Sequence, residues 1–220
     1  MQTKGTVVEQ LHGKSIEEGH LGGWAYLGDS ATYYPMMWDY LVSKYNIKSV
    51  IDVGCGRGFS SLYFKSLGCS VLGVDGSQQA KDSSLISDHF HHHDYSKGKS
   101  GITEEFDFAW SCEFVEHIDE QYMQNFVDDF KKAKYLAITF AGIGQGGHHH
   151  VNENTQEYWI DVMNKNGFVF DETETNTLRE MSLQDPVMQE MMGKISSQVC
   201  FSIVPHFAQR GLFFVNTARS

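Results

Sequence analysis

Val50 to Phe59 reads VIDVGCGRGF, and this stretch decides the fold. An apolar run ends in Asp52, and a glycine-rich turn through Gly54, Gly56 and Gly58 follows at once. Some way on, at the roughly 20-residue interval of a strand–turn–helix–strand unit, a second apolar run from Val71 to Val74 closes on Asp75. An open α/β sheet builds a nucleotide-type pocket at the carboxyl ends of its strands in this way.

Working outward, apolar periodicity predicts alternating strands and helices. Ala31 to Tyr45 carries Tyr34, Met37, Trp38, Leu41 and Val42 at helical spacing, and Asn46 ends it. Strands are expected at Ser49–Val53, Ser70–Val74, Ile86–Phe90, Phe106–Trp110, Tyr135–Phe140, Phe168–Phe170 and Gly211–Asn216. Helices are expected at Arg57–Leu67 (stopped by Gly68), Asp119–Lys132 and Thr155–Lys165. Strands alternating with helices imply a mostly parallel, doubly wound sheet with right-handed crossovers. No repeat or linker divides the chain. The expected layout is one domain: an N-terminal arm and helix over 1–46, a core over 47–172, a helical insert over 173–210 and a last strand over 211–216.

The 220 residues carry a net charge of −11 and no run of Lys and Arg, which argues against a nucleic-acid substrate. The four cysteines show no metal-type pair spacing, as a reducing compartment favours. The opening MQTKGTVVEQ lacks the apolar core of a signal peptide, and no run reaches the roughly 18 apolar residues of a membrane span. A cytoplasmic protein without membrane association is therefore expected.

Two ligands compete for the pocket. A dinucleotide fold uses G-x-G-x-x-G, so that a helix N-terminus holds a pyrophosphate. The spacing here is G-x-G-x-G directly after Asp52, and a carboxylate beside the loop suits a ligand with an ammonium and no pyrophosphate. S-adenosylmethionine carries such an ammonium. Glycines let the backbone approach it closely, and Asp75 is placed to accept from ribose hydroxyls.

VIDVGCGRG (Val50 to Gly58), LGVDGS (Leu72 to Ser77), HHHDYS (His91 to Ser96) and FDFAWSCEFVEHI (Phe106 to Ile118) together resemble the ordered motifs of the class I S-adenosylmethionine-dependent methyltransferases. The resemblance implies a Rossmann-like seven-stranded fold. It also implies cofactor contacts from Asp52, Gly54, Cys55 and Gly56 in the first motif and from Asp75, Gly76 and Ser77 in the second. Asp94 and Tyr95 would serve the adenine side, and Cys112 and His117 the end of the fourth strand. The product would be S-adenosylhomocysteine.

GIGQGGHHHVNENTQEYWI (Gly142 to Ile160) resembles a segment of methyltransferases associated with glycan modification, some of them fused to glycosyltransferases. This implies a sugar or glycan hydroxyl as acceptor and an association with glycosyltransferases. Removing the hydroxyl proton suits an imidazole. His149 and His148 are the first candidates for that base, with His117 at the border of the transfer site, and Glu113 and His150 are expected at the acceptor. Trp24 and Tyr26 offer flat rings to sugar C–H faces. Other acceptors (a small metabolite, an amine, a protein side chain), a non-catalytic binding module and a nicotinamide dehydrogenase stay open as alternatives. The run His89, His91, His92, His93 alternates faces along a strand and does not converge on one ion. No metal ligands are assigned, and a divalent ion stays open.

Overall fold

A computed structural model describes residues 19–21, 28–187, 189–190 and 205–219. Trp24 and Tyr26 lie outside the described residues, as do positions 188 and 191–204 of the helical insert expected over 173–210. Seven strands, β1 (Ser49–Val53), β2 (Ser70–Asp75), β3 (Phe90–His92), β4 (Phe106–Ser111), β5 (Ala133–Ile138), β6 (Phe168–Phe170) and β7 (Leu212–Asn216), form one sheet in the order β3-β2-β1-β4-β5-β7-β6. The pairs β1–β2, β2–β3, β1–β4 and β4–β5 are parallel, and β7 runs antiparallel to both β5 and β6. This is the seven-stranded, mostly parallel Rossmann-like sheet that the resemblance implies. The strand order reverses between β1 and β4, which opens a crevice beyond their carboxyl ends.

The helices are α1 (Pro35–Tyr45), α2 (Phe59–Ser66), α3 (Gln78–Asp82), α4 (Met123–Phe130), α5 (Gln156–Lys165), α6 (Glu172–Gln184) and α7 (His206–Arg210). Both faces of the central strands are buried, which is why those strands read as continuous apolar runs. Ile51, Ala109, Leu136 and Ile138 join Phe126, Val127 and Phe130 of α4 and Trp159 of α5 on one face. Val50, Phe108, Trp110 and Phe213 join Trp38 and Leu41 of α1, Leu178 of α6 and Phe207 of α7 on the other.

Five expected elements shift by two residues or more. The helix expected over Ala31–Tyr45 is α-helical only from Pro35, which takes its first position after a 3-10 turn at Ser30–Thr32, and the strand expected at Tyr135–Phe140 runs Ala133–Ile138. The strand expected over Ile86–Phe90 begins only at Phe90, because Ser87–His89 is a 3-10 turn. The Ile86 side chain plugs the underside of the glycine turn instead: a Cβ on Gly58 would lie 2.6 Å from it. The helix expected from Arg57 starts at Phe59, since Gly58 precedes it at φ +87°. The helix expected over Asp119–Lys132 begins with a 3-10 turn, Glu120–Tyr122, and is α-helical from Met123. Among the described residues, no helix is long and apolar enough to cross a membrane.

Candidate active site

β1 runs straight into the glycine turn, where Gly54, Gly56 and Gly58 all take positive φ. At Gly54 a side chain is doubly excluded: φ is +76°, and a Cβ would stand 2.5 Å from the Phe114 ring. The turn is anchored to the end of β2. Gly54 N–H donates to the Val74 carbonyl at 2.9 Å, and Gly56 N–H donates to Asp75 Oδ2 at 2.8 Å. The other Asp75 oxygen accepts from Ser77 N–H at 2.9 Å, and Ser77 caps α3 by accepting from Ala80 N–H. One carboxylate thus organises both loops that border the crevice.

Asp52 is placed differently. It is buried, and its Oδ2 accepts from the hydroxyls of Ser60 and Ser61, each at 2.6 Å, so it ties the start of α2 to the turn. Burial raises its pKa to about 6 against the opposing pull of the two serines. Its folded-state pKa lies above the roughly 3.9 of an unfolded aspartate, so it favours the folded state below about pH 4 and loses that contribution as pH rises through about 6. In the unliganded protein the Asp52 carboxyl carbon is expected to titrate by NMR near pH 6, and Asp52→Asn to remove that component. A midpoint near 4 would contradict this.

Asp94 accepts from Ser96 N–H at 2.8 Å, and His20 Nε2 stands 3.2 Å from both its oxygens. Burial alone would raise its pKa, but Ser96 and His20 together hold it below the usual carboxylate range. Tyr95 is buried and donates its hydroxyl to Asp129 at 2.6 Å. Leu21 covers Gly76, where a Cβ would lie 2.5 Å from its Cδ2.

The far wall comes from the end of β4 and the histidine loop. Glu113 sits at φ +53°, its N–H donating to Thr139 Oγ1 at 2.7 Å while the Thr139 hydroxyl donates back to Glu113 Oε1 at 3.0 Å. Glu113 Oε2 is 3.4 Å from His206 Nδ1, and His206 Nε2 is 3.5 Å from Asp29. Burial works against a charged imidazole, yet Asp29 and Glu113 outweigh it and raise the His206 pKa. His117 and His150 meet edge to face with ring centroids 5.1 Å apart. Burial, then His150 and His148, push His117 down to about 4. Burial and then Glu113 push Glu116 well above the carboxylate range. His148 donates its Nε2–H to the Gly19 carbonyl at 3.1 Å, which leaves Nδ1 as the ring's acceptor.

One cavity joins the two walls. Gly54, Asp75, Gly76, Asp94 and Tyr95 line one side, and Glu113, His117, His148 and His150 the other. Asp52, Cys55, Gly56, Ser77, Cys112 and His149 do not line it. Cys55 packs under Gly73, and Cys112 against the core on the α1 face. His149, at φ +50°, lies against Gly19 and His20. Sequence reasoning missed His20, Asp29 and His206, which also line it. Asp29 carried a signal as the cap of a 3-10 turn, but His206 joins Glu113 only through tertiary packing. The ring nitrogens of His91, His92 and His93 each meet a backbone carbonyl, those of Ser100, Gly76 and Gly98.

Residues 51–133 match a family model described as a methyltransferase domain. Among solved structures, the chain is similar to the magnesium protoporphyrin IX methyltransferase of Synechocystis PCC 6803 with bound S-adenosylmethionine. That match has 15% identity, 82% of this chain and 76% of that chain covered, and a TM-score of 0.55. It is also similar to the O-methyltransferase from a trans-AT PKS multienzyme of Brevibacillus brevis in complex with S-adenosyl-L-homocysteine, at 15% identity, 83% and 71% coverage and a TM-score of 0.53. No curated protein matches the chain. Residues 51–133 are thus similar to a methyltransferase domain, and the solved structures agree with the chain in fold.

Proposed function

We propose that this chain is an S-adenosylmethionine-dependent methyltransferase that delivers its methyl group to a hydroxyl of a sugar or glycan, with a histidine of the loop after β5 as general base. The observation that carries the reading is the cavity with two chemically different walls. The glycine and carboxylate wall suits the cofactor. Gly54 and Gly76 leave no room for a side chain, and Asp75 and Asp94 present acceptors at the ends of β2 and β3. Asp52 serves from behind, by fixing the turn to α2. The opposite wall brings Asp29, Glu113, His148 and His206 together, a density of donors and acceptors that suits a polyhydroxylated ligand.

The cofactor supplies an electrophilic methyl on a sulfonium. The chain's part is to orient the acceptor hydroxyl, hold it in line and take its proton. His148 is our choice among the sequence candidates His149, His148 and His117: it lines the cavity, and its bond to Gly19 leaves Nδ1 as an acceptor. His117 lines the cavity too, but burial disfavours the protonated form a base must reach. The oxygen–carbon bond forms as the carbon–sulfur bond breaks, with the electron pair going to sulfur and the hydroxyl proton to His148.

His148→Ala is expected to lower kcat by about 10²–10⁴-fold, the usual worth of a positioned base, with cofactor affinity unchanged by calorimetry. His149→Ala should retain most of the rate. Full activity in His148→Ala would place the base elsewhere. Labelled cofactor offered with a panel of sugars, nucleotide sugars and short glycans tests the acceptor class; label passing only to amines or to protein would overturn it. The described cysteines Cys55, Cys69 and Cys112 are free thiols.

A further inference from the structure

Glu116 lies on the 3-10 turn Val115–His117 beyond β4, and it is fully buried. Neither of its carboxylate oxygens has a hydrogen-bond partner. Its backbone carbonyl is well used: Val151 and Asn152 both donate to it, at 2.9 and 3.1 Å, which clamps the histidine loop onto this turn. That clamp brings His150 beside His117. Nδ1 of His117 and Nδ1 of His150 are also buried without a hydrogen-bond partner, although Glu153 Oε1 approaches the latter to 3.5 Å.

A buried polar atom without a partner costs about 1–3 kcal/mol, and more when charged. Such orphans are rare and call for a cause. Three residues bearing them converge here. One ligand atom each from Glu116, His117 and His150 lies within 4.8 Å of the other two. One proton does not resolve the cluster: it can bridge one Glu116 oxygen to one ring nitrogen, which leaves the second oxygen and the other ring nitrogen unmatched. All three groups are electron-pair donors, so what they share is the need for an acceptor of electron pairs.

We propose that Glu116, His117 and His150 bind a divalent first-row transition-metal ion. Two imidazoles and one carboxylate suit such an ion better than Mg²⁺ or Ca²⁺, which prefer all-oxygen sets. Metal–ligand bonds of about 2.1 Å require the three atoms to stand roughly 3–3.5 Å apart, a closure within reach of side-chain torsions. Three protein ligands leave coordination positions open, as in catalytic sites. His117 and His150 line the cavity, so an ion held by them would adjoin it. If the methyl-transfer reading above holds, the ion binds the acceptor oxygen there and favours its deprotonation.

The test uses the whole chain, stripped with chelator and titrated with Co²⁺ in the absence of cofactor and acceptor. The expected result is one tight equivalent with a visible d–d band, displaced by Zn²⁺. Glu116→Gln and His150→Ala should each weaken that equivalent at least tenfold, while His92→Ala, on the exposed edge strand, should not. Circular dichroism melts check that the variants fold, with His150→Gln as the replacement where the alanine does not. A missing band, or equal affinity in the folded Glu116 and His150 variants, overturns the proposal. The band is read without any acceptor, so a failed sugar assay leaves the metal site standing, and an absent band removes it whatever the assay gives.

Discussion

Asp75→Ala is expected to raise the dissociation constant for S-adenosylmethionine by two orders of magnitude or more and to destabilise the protein by about 3 kcal/mol. The Asp75 carboxylate is the acceptor for Gly56 N–H at 2.8 Å and Ser77 N–H at 2.9 Å, which belong to the two loops bordering the cavity. A hydrogen bond to a charged group contributes about 1.5–3 kcal/mol, and truncation leaves both donors without this acceptor. The glycine turn then loses its link to β2, and any ligand contact made by Asp75 itself goes with it. Asp75→Asn keeps one acceptor oxygen and should fall between wild type and alanine. Calorimetry gives the affinity, and urea unfolding gives the stability. An unchanged affinity in a folded Asp75→Ala protein would remove Asp75 from the cofactor site.

Trp38→Ala is expected to cost about 3–5 kcal/mol, the range for deleting a buried large aromatic. Trp38 is fully buried on α1, and its ring meets those of Tyr33, Tyr34, Phe64 and Trp110. This cluster reaches the site. Tyr34 packs on Phe207, and its hydroxyl accepts from Phe207 N–H at 3.0 Å, which seats the helix that begins at His206. The urea midpoint should fall with little change in slope. Trp38→Phe should cost much less, because it keeps an aromatic ring and removes an indole N–H that has no hydrogen-bond partner. If alanine cost less than about 1 kcal/mol, the cluster would not be a core in the energetic sense.

The stretch from Val50 to Asp75 was legible because its determinants are local. Apolar runs set the strands, and positive φ at Gly54, Gly56 and Gly58 sets the turn. The same holds for the end of α1, where Asn46 takes φ +51°, and for the start of α5, where Thr155 accepts from Tyr158 N–H. Ile86 was harder. An isoleucine in an apolar run reads as strand, and only contact with Gly58 and Gly73 shows it to be a plug beneath the turn.

Side-chain direction was the part the sequence left open. Asp52 and Asp75 close adjacent strands and look alike in the chain. Yet Asp52 turns inward to Ser60 and Ser61, while Asp75 faces the cavity. Three consecutive histidines likewise separate. His148 reaches the cavity wall and Gly19, His149 lies against His20, and His150 turns to His117. The sequence by itself determined the succession of strands and helices along the chain, the glycine turn and the acidic strand ends, because periodicity and backbone freedom are properties of neighbouring residues. Tertiary structure alone decided that Glu113 meets His206 and that Glu116, His117 and His150 share one buried space. Those meetings depend on how loops from β4, β5 and α7 fold over the same end of the sheet, where residues far apart in sequence compete for one volume.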